Sequence, residues 1–205
     1  MPELRELKVH GFRLRAAAAA AMFGSDFIAV SRGLRELSLP GAGLRLRDVR
    51  LLAGCSWRLE ELDLSSSGNA GLGSTNARGL AALIASPTFE LRRISLRYCD
   101  LTSASILALA NAHWPLEDID VYGNDLSTAG PALAALANHK GLRRLDVGYC
   151  RLGAASFNAL IEADFPALTY LAASQARLQY PTFGAAAFAR FPVLEELVLD
   201  YSRIA

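Results

Sequence analysis

Only three cysteines, Cys55, Cys99 and Cys150, occur in the 205 residues. A count that is odd and sparse argues against a disulfide framework and fits a reducing compartment, so a cytoplasmic location is expected. Histidine is equally scarce. His10, His113 and His139 share no ligand spacing with one another or with the cysteines, which leaves a zinc site unsupported. Neither sign of charge is in excess: twenty-one Lys and Arg against twenty Asp and Glu leave a net +1. A nucleic-acid or anionic-membrane partner would favour a basic surplus, so neither is expected. No apolar run approaches the roughly 20 residues of a membrane span. The start, Met1-Pro2-Glu3-Leu4, lacks the basic and apolar regions of a secretory signal. Gly-x-Ser-x-Gly, a phosphate-binding glycine loop and His-Glu-x-x-His are all missing, and with them the commonest catalytic signatures. No cofactor and no enzymatic activity are expected.

Leucine and alanine dominate what is there, within an apolar fraction of 52%. The phrase Leu-x-x-Leu-x-Leu recurs along the whole chain. Its first leucine falls at Leu4, Leu34, Leu59, Leu91, Leu116, Leu142, Leu168 and Leu194, at intervals of 30, 25, 32, 25, 26, 26 and 26 residues. In-out alternation of this kind is the period-2 signature of a strand with one buried face. A further apolar anchor follows at Leu14, Leu44, Leu101, Leu126, Leu152, Leu178 and Ile204. Beyond it the period changes. Residues 103–112 and 129–138 are Ala/Leu-rich with apolar positions three and four apart, and predict short helices. Pro131 suits the first turn of the second. Trp57, Trp114, Phe165 and Phe191 each fall 23 residues after a repeat's first leucine, a shared slot that predicts core wedges, and His139 takes that slot in its own repeat. The two long repeats carry their extra residues between Met22 and Gly33, and in the Gly/Ser/Asn-rich loop at 65–76.

Stacking such units predicts one α/β domain over 1–205, a right-handed parallel solenoid. Strands stack at about 4.8 Å and helices at about 8–10 Å, so the sheet should be concave. The phrase and period resemble the leucine-rich-repeat family, over nearly the whole chain. Intervals of 25–26 resemble its ribonuclease-inhibitor-like and cysteine-containing subclasses, the latter found behind F-boxes in ubiquitin-ligase substrate receptors. The family's turn position, usually Asn or Cys, is Cys99, Asn124 and Cys150 here, but Phe12, Ala42, Ala176 and Ser202 elsewhere. Gly130-Pro131-Ala132-Leu133-Ala134 and the run at 80–83 are similar to helices of plant-pathogen type III effectors with such repeats. The resemblance implies protein–protein recognition on the concave face, as part of an effector or a ubiquitin-ligase assembly. A secreted bacterial effector acting in a host cytoplasm is the alternative location. In the turn slot, side chains are expected to point inward and satisfy backbone groups of the neighbouring coil. Neither end carries a polar cap, so the chain is expected to be a segment of a longer protein or to self-associate.

Strand residues between the buried leucines should line up as rows across the sheet. Arg35, Glu60, Arg92, Glu117 and Arg143 alternate in sign, as does Glu61 to Arg144, which predicts cross-strand ion pairs. In the next outward row Asp120 and Asp146 should be direct neighbours. Arg97 and Tyr122 stand beside them, followed by the row Tyr98, Gly123, Tyr149, Gln175 and Tyr201. Exposed Tyr and Arg anchor interfaces more than most residues do. Arg97, Tyr98, Asp120, Tyr122, Asp146, Tyr149 and Tyr201 are therefore the candidate partner-binding residues. Gly123 and Gly148 are expected to leave gaps between tyrosines for a basic partner's side chains. Arg93 and Arg144 could instead neutralise the aspartates within the sheet. A self-assembling solenoid, or an enzyme using the Asp120/Asp146 carboxylates, are the other readings of the same rows.

Overall fold

A computed structural model describes residues 4–67, 77–178 and 189–204. Seven strands come first: β1 (Glu6–Lys8), β2 (Glu36–Ser38), β3 (Glu61–Asp63), β4 (Arg93–Ser95), β5 (Asp118–Asp120), β6 (Arg144–Asp146) and β7 (Tyr170–Ala172). They are joined by β9 (Glu196–Val198) in an eight-stranded, all-parallel sheet whose spatial order is the chain order. The short β8 (Arg177–Leu178) and β10 (Arg203–Ile204) pair separately, Arg203 with Arg177 and Ile204 with Leu178. Equivalent repeat positions face each other throughout: Leu37 with Leu62, Ile94 with Ile119, Leu145 with Leu171. The architecture is α/β and is consistent with an α/β solenoid.

The connecting segments carry α1 (Ala16–Met22), α2 (Ser25–Val30), α3 (Leu46–Ala53), α4 (Arg78–Ile84), α5 (Ser103–Ala110), α6 (Gly130–Ala135) and α7 (Ala154–Ile161). From α3 onward each helical segment buries an apolar pair three residues apart: Val49 and Leu52, Leu80 and Leu83, Ile106 and Leu109, Leu133 and Leu136, Phe157 and Leu160. That spacing places the pair on one helix face, and the face packs into the same core as the central strand residues. Two helices end earlier than their composition predicts. α5 stops at Ala110, and α6 gives way to a tighter 3₁₀ turn at Leu136–Asn138. Alanine has no side chain that marks an end, so runs of it leave boundaries to tertiary packing.

Trp57, Trp114, Phe165 and Phe191 are all buried, as their common slot requires. The Trp57 indole N–H donates to Ser31 Oγ at 3.1 Å, and Phe165 stacks on Phe191 with centroids 5.8 Å apart. His139 is half-buried, its Nε2 2.9 Å from the Leu109 carbonyl oxygen. The extra residues of the first long repeat fold as α2. Most of the Gly/Ser/Asn-rich loop, 68–76, lies outside the described residues.

One feature recurs in every coil just after the strand. Gly11, Gly41, Ser66, Tyr98, Gly123, Tyr149, Gln175 and Tyr201 occupy the same slot, and all have φ between +52° and +72°. This left-handed turn keeps the ladder running. Tyr98 N–H donates to the Tyr122 carbonyl, Gly123 N–H to the Gly148 carbonyl and Tyr149 N–H to the Ser174 carbonyl, at 2.9–3.0 Å. Glycine takes the conformation freely, whereas an L-residue loses roughly 1–2 kcal/mol there. Three tyrosines hold it nonetheless.

Candidate functional site

The sheet has one face in the core and one face open. On the open face the register puts Asp120 beside Asp146, as the repeat predicts. The aspartates do not stand free, however. Each ends its strand and turns a carboxylate oxygen back on its own chain. Asp63 Oδ1 accepts from the Ser65 N–H (2.9 Å), Asp120 Oδ1 from the Tyr122 N–H (3.1 Å) and Asp146 Oδ1 from the Gly148 N–H (2.9 Å). Asp146 is only 9% exposed, against the expectation that it lies open to a partner. The neutralising arginines also differ from the expected ones. Arg93 pairs with Glu61, and Arg144 lies 3.8 Å from Asp118. Arg97 pairs with Asp120 at 3.7 Å. Cross-strand pairing holds in both alternating rows: Arg93 with Glu61 and Arg144 with Asp118 in one, Arg35 with Glu60 and Arg92 with Glu117 in the other.

The tyrosines form a stack. Tyr98 meets Tyr122 edge to face, with centroids 5.5 Å apart and planes at 74°. Tyr122 meets Tyr149 at 4.9 Å and 34°. The Arg97 guanidinium lies 4.4 Å above the Tyr122 ring. The glycine gaps are filled from within. A Cβ at Gly123 would sit 2.3 Å from a Tyr98 ring carbon, and one at Gly148 would sit 3.1 Å from Tyr122. Each tyrosine leans across the glycine of the following coil, so these glycines seat rings of this chain and leave no notch for a partner. Tyr98 is 52% exposed and Tyr201 79%, while Tyr122 and Tyr149 are half-buried. Tyr201 lies beyond Gln175 in the row and has no ring contact among the described residues.

A hollow of about 260 Å³ opens on the same face over β1 to β6. Ser38, Asp63, Ser95 and Asp120 line it, with Glu36, Glu61 and Asp118 on one flank and Arg93 and Arg144 among them. Ser38 Oγ donates to Asp63 Oδ2 at 2.9 Å, and Ser65 and Ser95 hydroxyls meet at 2.9 Å. This hollow was not singled out from the sequence. Its signal was the alternation of short serines with aspartates along one row, which leaves room between strands.

Burial, and then the neighbouring Asp146 charge, push the Asp120 carboxyl up to about 6 from 3.8. Burial pushes Asp118 in the same direction. Between pH 3.8 and 6 the folded chain holds an Asp120 proton that the unfolded chain has released, so this group's contribution to stability falls as pH rises. Asp120→Asn keeps an oxygen for the Tyr122 N–H and cannot ionise. Relative to wild type it should gain up to about 3 kcal/mol at pH 7 and only about 0.5 kcal/mol at pH 4. Urea melts of both proteins at both pH values measure this difference. A gap that is the same at pH 4 and pH 7 would show that Asp120 does not titrate in that window.

The turn slot inside the coil bears out its structural reading. Cys99 Sγ donates to the Leu64 carbonyl and Cys150 Sγ to the Val121 carbonyl, both 3.2 Å away in the preceding coil. Asn124 Oδ1 accepts from the Cys99 and Leu101 N–H groups at 3.0 and 2.9 Å, and its Nδ2 donates to the Leu96 carbonyl at 3.0 Å. Burial pushes all three thiols up to about 12, so none is a thiolate nucleophile at neutral pH. Among the described residues no group of three or more His, Cys, Asp and Glu could hold a metal ion, and no helix is long and apolar enough to cross a membrane. Compared with models of protein families and with curated proteins, the chain matches none. The fold and face define a class: a parallel α/β repeat architecture whose open face carries paired charges and a strained tyrosine stack.

Proposed function

We propose that the chain is a leucine-rich-repeat horseshoe and a protein-binding module, whose open, concave sheet face engages a partner around Tyr98, Tyr122 and Tyr149. The observation that supports this reading is the choice of residue in the left-handed turn. Tyr98 and Tyr149 occupy a conformation that Gly11, Gly41 and Gly123 fill without cost in neighbouring coils. Strain kept at an exposed aromatic marks a site where side-chain identity matters more than stability. Tyrosines are common interface anchors, because a rigid ring covers much area at little entropic cost. Arg97 and half-buried Asp120 supply polar partners beside the stack. A basic group on the partner would meet Asp120 after displacing Arg97, which ties association to salt.

Tyr98→Gly and Tyr149→Gly separate binding from folding. Each relieves roughly 1–2 kcal/mol of backbone strain and loses ring contacts of about 0.5–1.5 kcal/mol, so net stability should stay near wild type. Partner capture should nevertheless be lost. Immobilised wild type and the double variant are exposed to the same lysate, and proteins retained by the first alone are the expected result. Retention that is identical for both, with melting curves unchanged, would rule out the tyrosine face as the binding surface.

A further inference from the structure

A second surface lies away from the sheet face, where the chain of the first two coils passes from strand to helix. The phrase Arg-Leu-Arg occurs there twice, at 13–15 and at 45–47. Its leucines point inward: Leu14 is buried and Leu46 half-buried, while all four arginines are exposed. The Leu14 N–H donates to the Ala42 carbonyl at 2.8 Å, which holds the two coils together at this point. Arg13, Arg15, Arg45 and Arg47 line one open hollow of about 1060 Å³.

The charge there is not compensated. On the sheet face Arg35, Arg92, Arg93, Arg97 and Arg144 each meet a carboxylate. In the hollow the single carboxylate is Asp48, held by the Arg45 N–H at 2.9 Å and by the Arg47 guanidinium at 3.2 Å. Arg13, Arg15 and Arg45 have no ion pair among the described residues. Arg45 is the N-cap of the eight-residue α3, where the helix dipole disfavours a cation. Arg15 precedes α1 in the equivalent slot of the coil before, with no acidic residue in that helix's first turn. Like charges in neighbouring slots, set against a helix N-terminus, raise the energy of the free protein, and an anion would relieve it. A separate observation points the same way. Ser67, on the wall of this hollow, is only 2% exposed, and its Oγ has no hydrogen-bond partner among the described residues. A buried hydroxyl without a protein partner is uncommon, and it leaves one hydrogen bond open to a bound group.

We infer that this arginine-lined hollow binds a small organic or inorganic polyphosphate, with guanidiniums on its oxygens and Ser67 donating the remaining hydrogen bond. Guanidinium forks match phosphate oxygens in pairs, and the three arginines without an ion pair offer charge for an anion of several negative charges. The site is independent of the tyrosine face and tolerates the loss of that reading.

The probe is inorganic tripolyphosphate, titrated calorimetrically into the full chain. Saturable binding that weakens with salt is the expected result. Arg13→Gln combined with Arg45→Gln should weaken it at least about tenfold, since two charge-assisted contacts go. Ser67→Ala should weaken binding while leaving the melting temperature equal or higher, which a structural hydroxyl would not do. Arg92→Gln, on the sheet, should change nothing. Absence of saturable binding, or equal weakening by Arg92→Gln, overturns the site. Orthophosphate or citrate binding as tightly as tripolyphosphate overturns the ligand class, and so does a single-stranded oligonucleotide binding more tightly.

Discussion

Leu145→Ala should lose about 2–5 kcal/mol of stability, the range for a buried leucine cut back to its Cβ. Leu145 is fully buried at the centre of β6, in register with Ile119 on one side and Leu171 on the other. Removing three side-chain carbons there opens a void between the sheet and the helix layer. Coils that contact only their neighbours cannot close such a void from a distance. The same change at Leu197 should cost less, because that residue is only half-buried in β9 at the sheet's edge. Denaturant melts of both variants measure the two losses. The midpoint should move much further for Leu145→Ala, with the slope unchanged if unfolding remains cooperative. Equal losses at 145 and 197 would mean that the core is not graded from centre to edge as the burial pattern requires.

The strand register was legible because a one-residue slip would turn every leucine outward. Eight copies of the phrase therefore fix which residues face which, and Asp120 does lie beside Asp146. What rows of letters could not convey is where a flexible side chain leans. Asp146 is an outward strand residue by period, yet it is buried because its carboxylate folds back on the Gly148 N–H and the Tyr122 ring covers the next glycine. In the sequence Gly123 marks a gap, because glycine carries no side chain of its own. The structure shows a Tyr98 ring seated there. The arginine hollow escaped for a different reason. A net charge of +1 is a sum over the chain, and it conceals four cations gathered on one edge. Only the coil-to-coil stacking shows that 13–15 and 45–47 are neighbours. Helix ends were blurred because alanine marks no boundary.

Asn124→Ala should be as damaging as the loss of a core leucine, although no apolar contact of comparable size is removed. Asn124 is buried, and its amide makes its four shortest hydrogen bonds to backbone groups of two coils. Oδ1 accepts from the N–H groups of Cys99 and Leu101, while Nδ2 donates to the carbonyls of Leu96 and Val121, the last at 2.6 Å. Alanine would leave these without a partner, in a place where each buried orphan costs roughly 1–3 kcal/mol. Repair by a single entering water would recover part of that, so a net loss of about 3–5 kcal/mol is expected. The neighbouring coils supply the control. Cys99 and Cys150 fill the same slot and each donates one hydrogen bond to a carbonyl of the preceding coil. Asn124→Cys should therefore recover a donor to the Leu96 carbonyl but no acceptor for the two N–H groups, and should fall between alanine and wild type. Asn124→Asp keeps both acceptor contacts and brings a carboxylate against two carbonyl oxygens, so it should recover stability only as pH falls and the carboxyl gains a proton. Hydrogen exchange at the Cys99 and Leu101 amides reads the same bonds directly. Both amides should lose protection in the alanine and cysteine variants and keep it, at low pH, in the aspartate variant. If their protection were unchanged in Asn124→Ala, the amide bridge would not be what joins these coils, and the large loss of stability would not follow.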